Sequence, residues 1–261
     1  MRPVSPNRAD ACAFAVMAKA PRSGEVKTRL VPPLCADEAA ILSGCFLKDI
    51  AANFNAAAQR LPAQGYVAYS PPGAEAVFRD LLPSGILLLP PRRIGLGYSL
   101  LHAAEDLIAA GYGSACLVNA DSPTLPTSVL VNAGEALRAP GDRVVLGPAI
   151  DGGYYLIGLK HPHRRLFEDI SWSTEHVYRQ TVERAAKLSL EVVTLPTWYD
   201  VDDATSLGWL CDEVLAGRRP SQLLPTGYAA PNTTDYLRRL VSADGAARLG
   251  IERLTERRIH Q

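Results

Sequence analysis

Residues 13–30 read AFAVMAKAPRSGEVKTRL. The first six, Ala13–Ala18, form a short apolar run that reads as a strand. The rest gathers Lys19, Arg22, Lys27 and Arg29 around one glycine, Gly24. A cationic loop with a flexible joint, directly after a first strand, is the layout of an anion site in an α/β sheet. It needs the rest of the chain to alternate strand and helix.

The rest does alternate. Asp37–Ala58 is Ala- and Leu-rich and reads as a helix. Tyr66–Tyr69 and Ile86–Leu89 are apolar runs bounded by Pro and Gly, with a short helix at Glu75–Leu82 between them. Gly97–Ala110 is helical, Ala115–Val118 a buried strand, and Pro126–Arg138 a helix with proline near its start. Val144–Leu146 and Tyr154–Leu159 flank a Gly-Gly break. A helix over Glu175–Leu188 has Ser173 and Thr174 as caps, and strand Leu190–Leu195 and helix Ala204–Ala216 follow. Repeated β-α units predict an α/β fold with a mostly parallel sheet, covered by helices on both faces as a three-layer sandwich.

Two segments are expected, residues 1–217 and residues 218–261. The stretch after Gly217, GRRPSQLLPTGYAAPNTTD, is rich in Pro, Gly and Thr and reads as a linker or draped arm, with one helical piece over Tyr236–Leu249 interrupted near Gly245.

Composition narrows the partners. Lys+Arg and Asp+Glu balance at 27 each, so no basic excess points to nucleic acid or to a polybasic membrane anchor. No apolar stretch reaches the length of a membrane span, and the N-terminus lacks an apolar signal-peptide core. The five cysteines contain no C-x-x-C pair, which fits small core residues in a cytoplasmic protein. Homo-oligomerisation stays open.

Ligands of open α/β sheets bind beyond the carboxyl ends of the strands, so four loops matter. In the opening loop, Lys27 and Arg29 supply charge and forked donors to a phosphate, and Gly24 lets the backbone approach. Gly24-Glu25-Val26 precedes Lys27-Thr28, with no glycine next to the lysine, so the loop is not a G-x-x-x-x-G-K-[ST] loop. The alternative is a solvated basic turn. In LVNADSPTLP (117–126), Asp121 follows a buried strand, where a carboxylate suits Mg²⁺ or Mn²⁺. The alternative is an Asx-turn capping the next helix. In GPAIDGGYYLIGLK (147–160), Asp151 reaches a sugar hydroxyl or a second metal position, and locally D-G favours a plain hairpin. In PTWYDVDDATSL (196–207), Asp200 and Asp202 project to the same side. One of them either shares a cation with Asp121 or serves as a base, while Asp202 or Asp203 suits a helix N-cap. His161 and His163 form H-P-H in a surface loop. Trp172-Ser173-Thr174 starts a helix, with the tryptophan available to a ligand.

Taken together, KAPRSGEVKTRL, NADSPTLP, LGPAIDGGYYLIGL, WSTEHV and WYDVDD resemble, in order, the blocks of a bacterial glycosyltransferase-like family named for arsenosugar biosynthesis, within the GT-A nucleotide-diphospho-sugar transferase superfamily. The resemblance runs from about Phe14 to Leu215. It implies a Rossmann-like GT-A domain with a nucleotide over the first strands. In the pattern K-x-P-x-x-G-x-x-K-T-R-L, Lys19, Gly24, Lys27 and Arg29 fall at phosphate-binding positions, and Asp121 matches the carboxylate that replaces an Asp-x-Asp metal motif. The family's L-G-E-R-L-like block reads Leu96-Gly97-Tyr98-Ser99-Leu100 here, so its Glu and Arg are absent.

The expected function is metal-dependent transfer of a sugar from a nucleoside-diphosphate donor to a small-molecule acceptor. Asp121 and Asp202 hold Mg²⁺ or Mn²⁺ and act as catalytic residues. Lys19, Gly24, Lys27 and Arg29 bind the nucleotide phosphates, and Asp151, Gly152, Gly153, Tyr154 and Trp198 line the substrate pocket. The alternatives are a guanylyltransferase-like nucleotidyl transfer that releases pyrophosphate, and a nucleotide-binding protein without catalysis.

Overall fold

A computed structural model describes residues 7–92, 95–219, 221–222, 224–244 and 246–249. The first strand, β1 (Cys12–Lys19), has no polar face up to Ala18. Cys12, Phe14, Val16 and Ala18 enter one core, while Ala13, Ala15 and Met17 enter another. A strand apolar on both faces requires covering layers on both sides.

In chain order the elements are β1, α1 (Ala36–Ala57), β2 (Ala63–Ser70), α2 (Glu75–Leu81), β3 (Leu87–Leu89), α3 (Leu96–Ala109), β4 (Ser114–Val118), α4 (Thr127–Arg138), β5 (Arg143–Pro148), β6 (Tyr154–Leu159), α5 (Val177–Lys187), β7 (Glu191–Thr194), α6 (Ala204–Ala216) and α7 (Pro231–Asp244). The seven strands form one sheet in the order β3-β2-β1-β4-β6-β5-β7. All run parallel except β6, which is antiparallel to β4 and β5. Phe46, Phe78, Leu130, Leu207 and Leu237, from α1, α2, α4, α6 and α7, fill one face. Leu100, Leu107 and Ala185, from α3 and α5, fill the other. The α/β three-layer expectation holds, with a mostly parallel sheet.

The hairpin reading of GPAIDGGYYLIGLK also holds. β5 and β6 pair antiparallel around the turn at 149–153, where Gly152 has φ +88°. A Cβ at Gly152 would sit 2.3 Å from the Glu175 carbonyl oxygen, so this turn packs backbone to backbone against residues 173–176.

Two helices start elsewhere than expected. α5 begins at Val177, not Glu175. Thr174 Oγ1 donates to Ser171 O at 2.7 Å, and Ser173 adopts φ +63°, so residues 173–176 make a turn. The helix starts where Tyr178 N finds the Gly152 carbonyl at 3.0 Å. α7 begins at Pro231, inside the stretch read as linker. Proline at the first helical position gives up an N–H that has no helical partner there. The donors that follow are taken by Asp49, fully buried on α1. Its carboxylate accepts from Asn232 N (3.0 Å), Asn232 Nδ2 (2.8 Å) and Thr233 N (2.8 Å). The short helical turn Ala246–Leu249 follows α7, and the expected interruption at Gly245 lies outside the described residues.

Candidate active site

The chain reverses its direction of travel across the sheet once β3 is laid down. It builds outward from β1 through β2 to β3, then returns to place β4 on the other side of β1. The loops after β1 and β4 therefore diverge, which opens a crevice at the carboxyl ends of these two strands. Lys27 comes from the first loop and Asp121 from the second.

The two meet. Lys27 Nζ contacts Asp121 Oδ1, donates to Asp202 Oδ1 at 3.2 Å, and donates to the Val201 carbonyl at 2.6 Å. It also lies 5.4 Å from the centre of the Phe46 ring. The Lys27 side chain is 6% exposed, so three oxygens and a ring face hold a desolvated ammonium. Lys27 has φ 50°, a left-handed conformation that costs a non-glycine residue about 1 kcal/mol or more and persists where surrounding contacts enforce it. Arg29 pairs with Asp202 Oδ2 at 2.7 Å from a largely exposed position. The loop carrying Asp202 is tied in by Val201 N donating to the Asp121 carbonyl at 2.9 Å. Asp121 thus turns into the crevice, and no side chain caps the following α4.

Two adjoining cavities open here. A cavity of about 340 Å³ is lined by Lys19, Glu25, Lys27, Thr28, Arg29 and Ser43, among others. A larger one, about 640 Å³, is lined by Asp151, Gly153, Tyr154, Trp172, Glu175 and Asp200, among others. Met17, Arg29, Ala120, Asp121 and Asp202 line both. The carboxylate pair therefore stands at the junction.

Asp200 is the member of the acidic loop that the sequence weighed beside Asp202 and then left out of the site. Asn119 Nδ2 (2.6 Å) and Ser122 Oγ (2.5 Å) both donate to its Oδ1. Burial pushes its carboxyl up to about 7; those two hydrogen bonds oppose the shift, and the nearby Asp121 and Asp151 charges add to it. Asp203 is the N-cap of α6: its Oδ1 accepts from Ser206 N at 2.8 Å, which holds its carboxyl below the usual range. The acidic loop divides its labour, with Asp200 and Asp202 at the cavities and Asp203 capping.

Other sequence candidates separate. Lys19 lines the smaller cavity. Gly24, at φ +75°, shapes the loop but lines neither cavity. Asp151 turns back to accept its own loop's Gly153 N–H at 2.9 Å and still borders the larger cavity. Gly152 lines neither and acts through its packing on Glu175. Trp198 is a correction. It is 1% exposed, stacks on Tyr199 in the core and lines neither cavity, because the residues after β7 bridge back to Ala149 and carry the ring inward. The tryptophan at the cavity is Trp172, set edge-on to Tyr154. His163 pairs with Asp142 at 2.7 Å, away from both cavities. Glu175, Asn119 and Ser122 went unremarked as site residues in the sequence. The last two lie inside the NADSP block, but only the fold brings them to Asp200.

Among the described residues, no group of three or more His, Cys, Asp and Glu side chains is spaced to hold a metal ion alone. What Asp121 and Asp202 offer is a pair of hard oxygen donors, now shared with Lys27. A divalent cation that retains water and takes phosphate oxygens needs only one or two carboxylates, so this donor set fits Mg²⁺ or Mn²⁺ arriving with a phosphate ligand. Among the described residues, no helix is long and apolar enough to cross a membrane.

The family described as "Uncharacterized protein conserved in bacteria (DUF2064)" matches residues 53–174. A protein from Desulfovibrio desulfuricans G20, assigned as a nucleotide-diphospho-sugar transferase, has a crystal structure at 31% identity and TM-score 0.71, covering 88% of this chain and 97% of that one. A CMP:2-keto-3-deoxy-manno-octonic acid synthetase complexed with CTP shares the fold at 12% identity and TM-score 0.51, over 79% of this chain and 99% of that one. Among curated proteins, none matches the chain.

Proposed function

The chain belongs to the GT-A-like nucleotide-diphospho-sugar transferase superfamily, and on that premise we propose that it transfers a sugar from a nucleoside-diphosphate donor to a small acceptor in a divalent-metal-dependent reaction. The observation that carries this reading is the junction. Asp121, Asp202 and Lys27 stand where a cationic cavity and an acidic, aromatic cavity meet.

In this reading the smaller cavity takes the nucleotide, with Lys19, Lys27 and Arg29 around its phosphates. Asp121 and Asp202 hold Mg²⁺ or Mn²⁺, which when bound offsets negative charge developing on the leaving phosphate. Lys27 does the same with an ammonium already desolvated and oriented, so little reorganisation is needed as charge develops. The larger cavity holds the transferred sugar and the acceptor, with Asp151, Gly153 and Tyr154 on its wall. Asn119 and Ser122 fix Asp200 on that wall. The protein acts there as an enzyme, soluble and without need of nucleic acid.

A second reading has a specific observation behind it. Three cations, Lys19, Lys27 and Arg29, line one small cavity, and such density suits a triphosphate. Nucleotidyl transfer with pyrophosphate as leaving group follows from that.

A thermal-shift screen of sugar nucleotides and nucleoside triphosphates with Mn²⁺ tests both. A ligand at 100 times its Kd adds about 2.7 kcal/mol to stability, or roughly 5–10 °C for a chain of this size. Asp121→Ala should abolish the metal-dependent part of the shift. Release of nucleoside diphosphate from a binding sugar nucleotide supports glycosyl transfer, and release of pyrophosphate from a binding triphosphate supports the second reading. Binding without either release identifies a binding protein, and absence of any shift refutes all three.

A further inference from the structure

The larger cavity has a charge pattern that its neighbour lacks. Its described lining includes the carboxylates of Asp121, Asp151, Glu175, Asp200 and Asp202, against a single cation, Arg29. That cation is already engaged, 2.7 Å from Asp202. Asp121 and Asp202 face the junction and Lys27. Asp151, Glu175 and Asp200 are left. Asp151 accepts a backbone N–H and Asp200 accepts an amide and a hydroxyl, all neutral donors. Among the described residues, the one basic side chain recorded against Glu175 is the His176 imidazole, 3.9 Å away on the same turn. The same lining includes two aromatic side chains, Trp172 and Tyr154. Trp172 lies against the N-terminal turn of α3, so close that a Cβ on Gly97 would sit 2.6 Å from its Nε1, and Tyr154 meets it edge-on. Tyr154 lines the cavity with its ring, and its hydroxyl is buried behind it with no hydrogen-bond partner among the described residues.

Carboxylates accept hydrogen bonds from hydroxyls and repel phosphates and carboxylates. Aromatic faces take the apolar C–H face of a sugar ring. We propose that this cavity binds an uncharged polyhydroxylated group, a sugar or cyclitol, and discriminates against the phosphorylated or carboxylated derivatives of the same group. The proposal rests on the transferase reading and deepens it: the nucleotide's phosphates are confined to the smaller cavity, and the acceptor brings hydroxyls rather than an anion. Asp151 and Asp200 take the hydroxyls from one side while Trp172 packs on the ring. The turn at 149–153 and residues 173–176 pack against each other at Gly152 and Glu175 beneath that wall.

Trp172 supplies the readout. The probes are methyl glucoside, methyl mannoside and myo-inositol, each compared with its phosphate monoester, and glucose with glucuronate. They are titrated against the full chain saturated with Mn²⁺ and the nucleoside diphosphate of whichever nucleotide the thermal-shift screen identifies, so that no donor sugar fills the cavity. Tryptophan fluorescence is recorded, with Trp172→Phe as the blank. At least one uncharged probe should change the Trp172 signal, with an apparent affinity at least tenfold above its anionic partner. Asp151→Lys should reduce or reverse that ratio. Asp151→Asn, which keeps an oxygen for the Gly153 N–H, should lower it and covers the case in which the lysine variant does not fold. Preference for an anionic probe, or no response to any uncharged one, overturns the inference while nucleotide binding stands. Failure of every nucleotide to bind removes the transferase reading beneath it instead.

Discussion

At the residue scale the site turns on Lys27. Its ammonium contacts both Asp121 and Asp202, the same oxygens a divalent cation needs. On the proposed reading, lysine and metal compete for the carboxylates when no nucleotide is present, and cooperate once phosphate oxygens share the charge. Lys27→Ala should act in opposite directions on the two ligands. Mn²⁺ binding without nucleotide should tighten at least threefold, since two carboxylates lose their internal counter-ion. Affinity for the nucleotide should fall tenfold or more, a loss of about 1.4 kcal/mol. Calorimetric titration of each ligand reads both changes. A parallel fall in both affinities would mean that Lys27 only supports the loop. The sequence named this lysine, because a cation after a first strand has a plain electrostatic purpose. It took Asp202 rather than Asp200 as the second carboxylate, a choice that local spacing alone does not make. Two residues of alternation give both the same side of the chain, and only the loop's path decides which meets Lys27 and which sinks beside Asn119 and Ser122. Trp198 was misread for a related reason. An aromatic residue beside acidic ones suits a ligand wall, but the bridge from Trp198 to Ala149 carries the ring into the core.

Elements were legible where the apolar pattern was long. β1, α1, β4 and α4 follow their runs of Ala, Leu and Val closely, since burial on a continuous face dictates them. α5 and α7 were not, because their starts depend on partners distant in sequence. α5 begins at the carbonyl of Gly152, and α7 at the carboxylate of Asp49. Asp49 lies mid-helix on α1, where a lone buried carboxylate has no local explanation. Its three hydrogen bonds belong to the N-terminus of a helix more than 180 residues away, and that end also carries partial positive charge. Asp49→Ala should cost about 2–4 kcal/mol, because it orphans buried donors rather than removing a neutral contact. That corresponds to a fall of roughly 5–15 °C in Tm. Asp49→Asn keeps one acceptor oxygen and should lose less. Urea unfolding of the two variants measures the difference, and equal losses would show that packing rather than capping sets the cost.

At the scale of the whole molecule, β-α alternation already predicted the sheet, its two covering layers and ligands at the carboxyl ends of its strands, while the strand order that opens the crevice between β1 and β4 is seen only in the fold. It also suggested a break at Gly217, where periodicity stops. Loss of periodicity marks the end of a regular element but says nothing about where the chain goes next. Here it returns. Leu224, Tyr236, Leu237 and Leu249 enter the same core as Phe14, Phe46 and Leu207, and α7 caps onto α1 through Asp49. Arg248 reaches Glu38 in the first turn of α1, a contact that holds the Glu38 carboxyl below its usual range. Each large apolar side chain contributes about 1.5–3 kcal/mol on burial, so four of them amount to roughly 6–12 kcal/mol. The net stability of a domain is only about 5–15 kcal/mol. A chain ending at Gly217 should therefore fail to unfold cooperatively and should lose its near-ultraviolet circular dichroism, even though it retains all seven strands and every cavity residue named above. A 1–217 chain that melts cooperatively within a few degrees of the full chain would show that the core closes without the arm. The arm's contribution would then be confined to α1, and the crevice between β1 and β4 would stand on the sheet and its own loops alone.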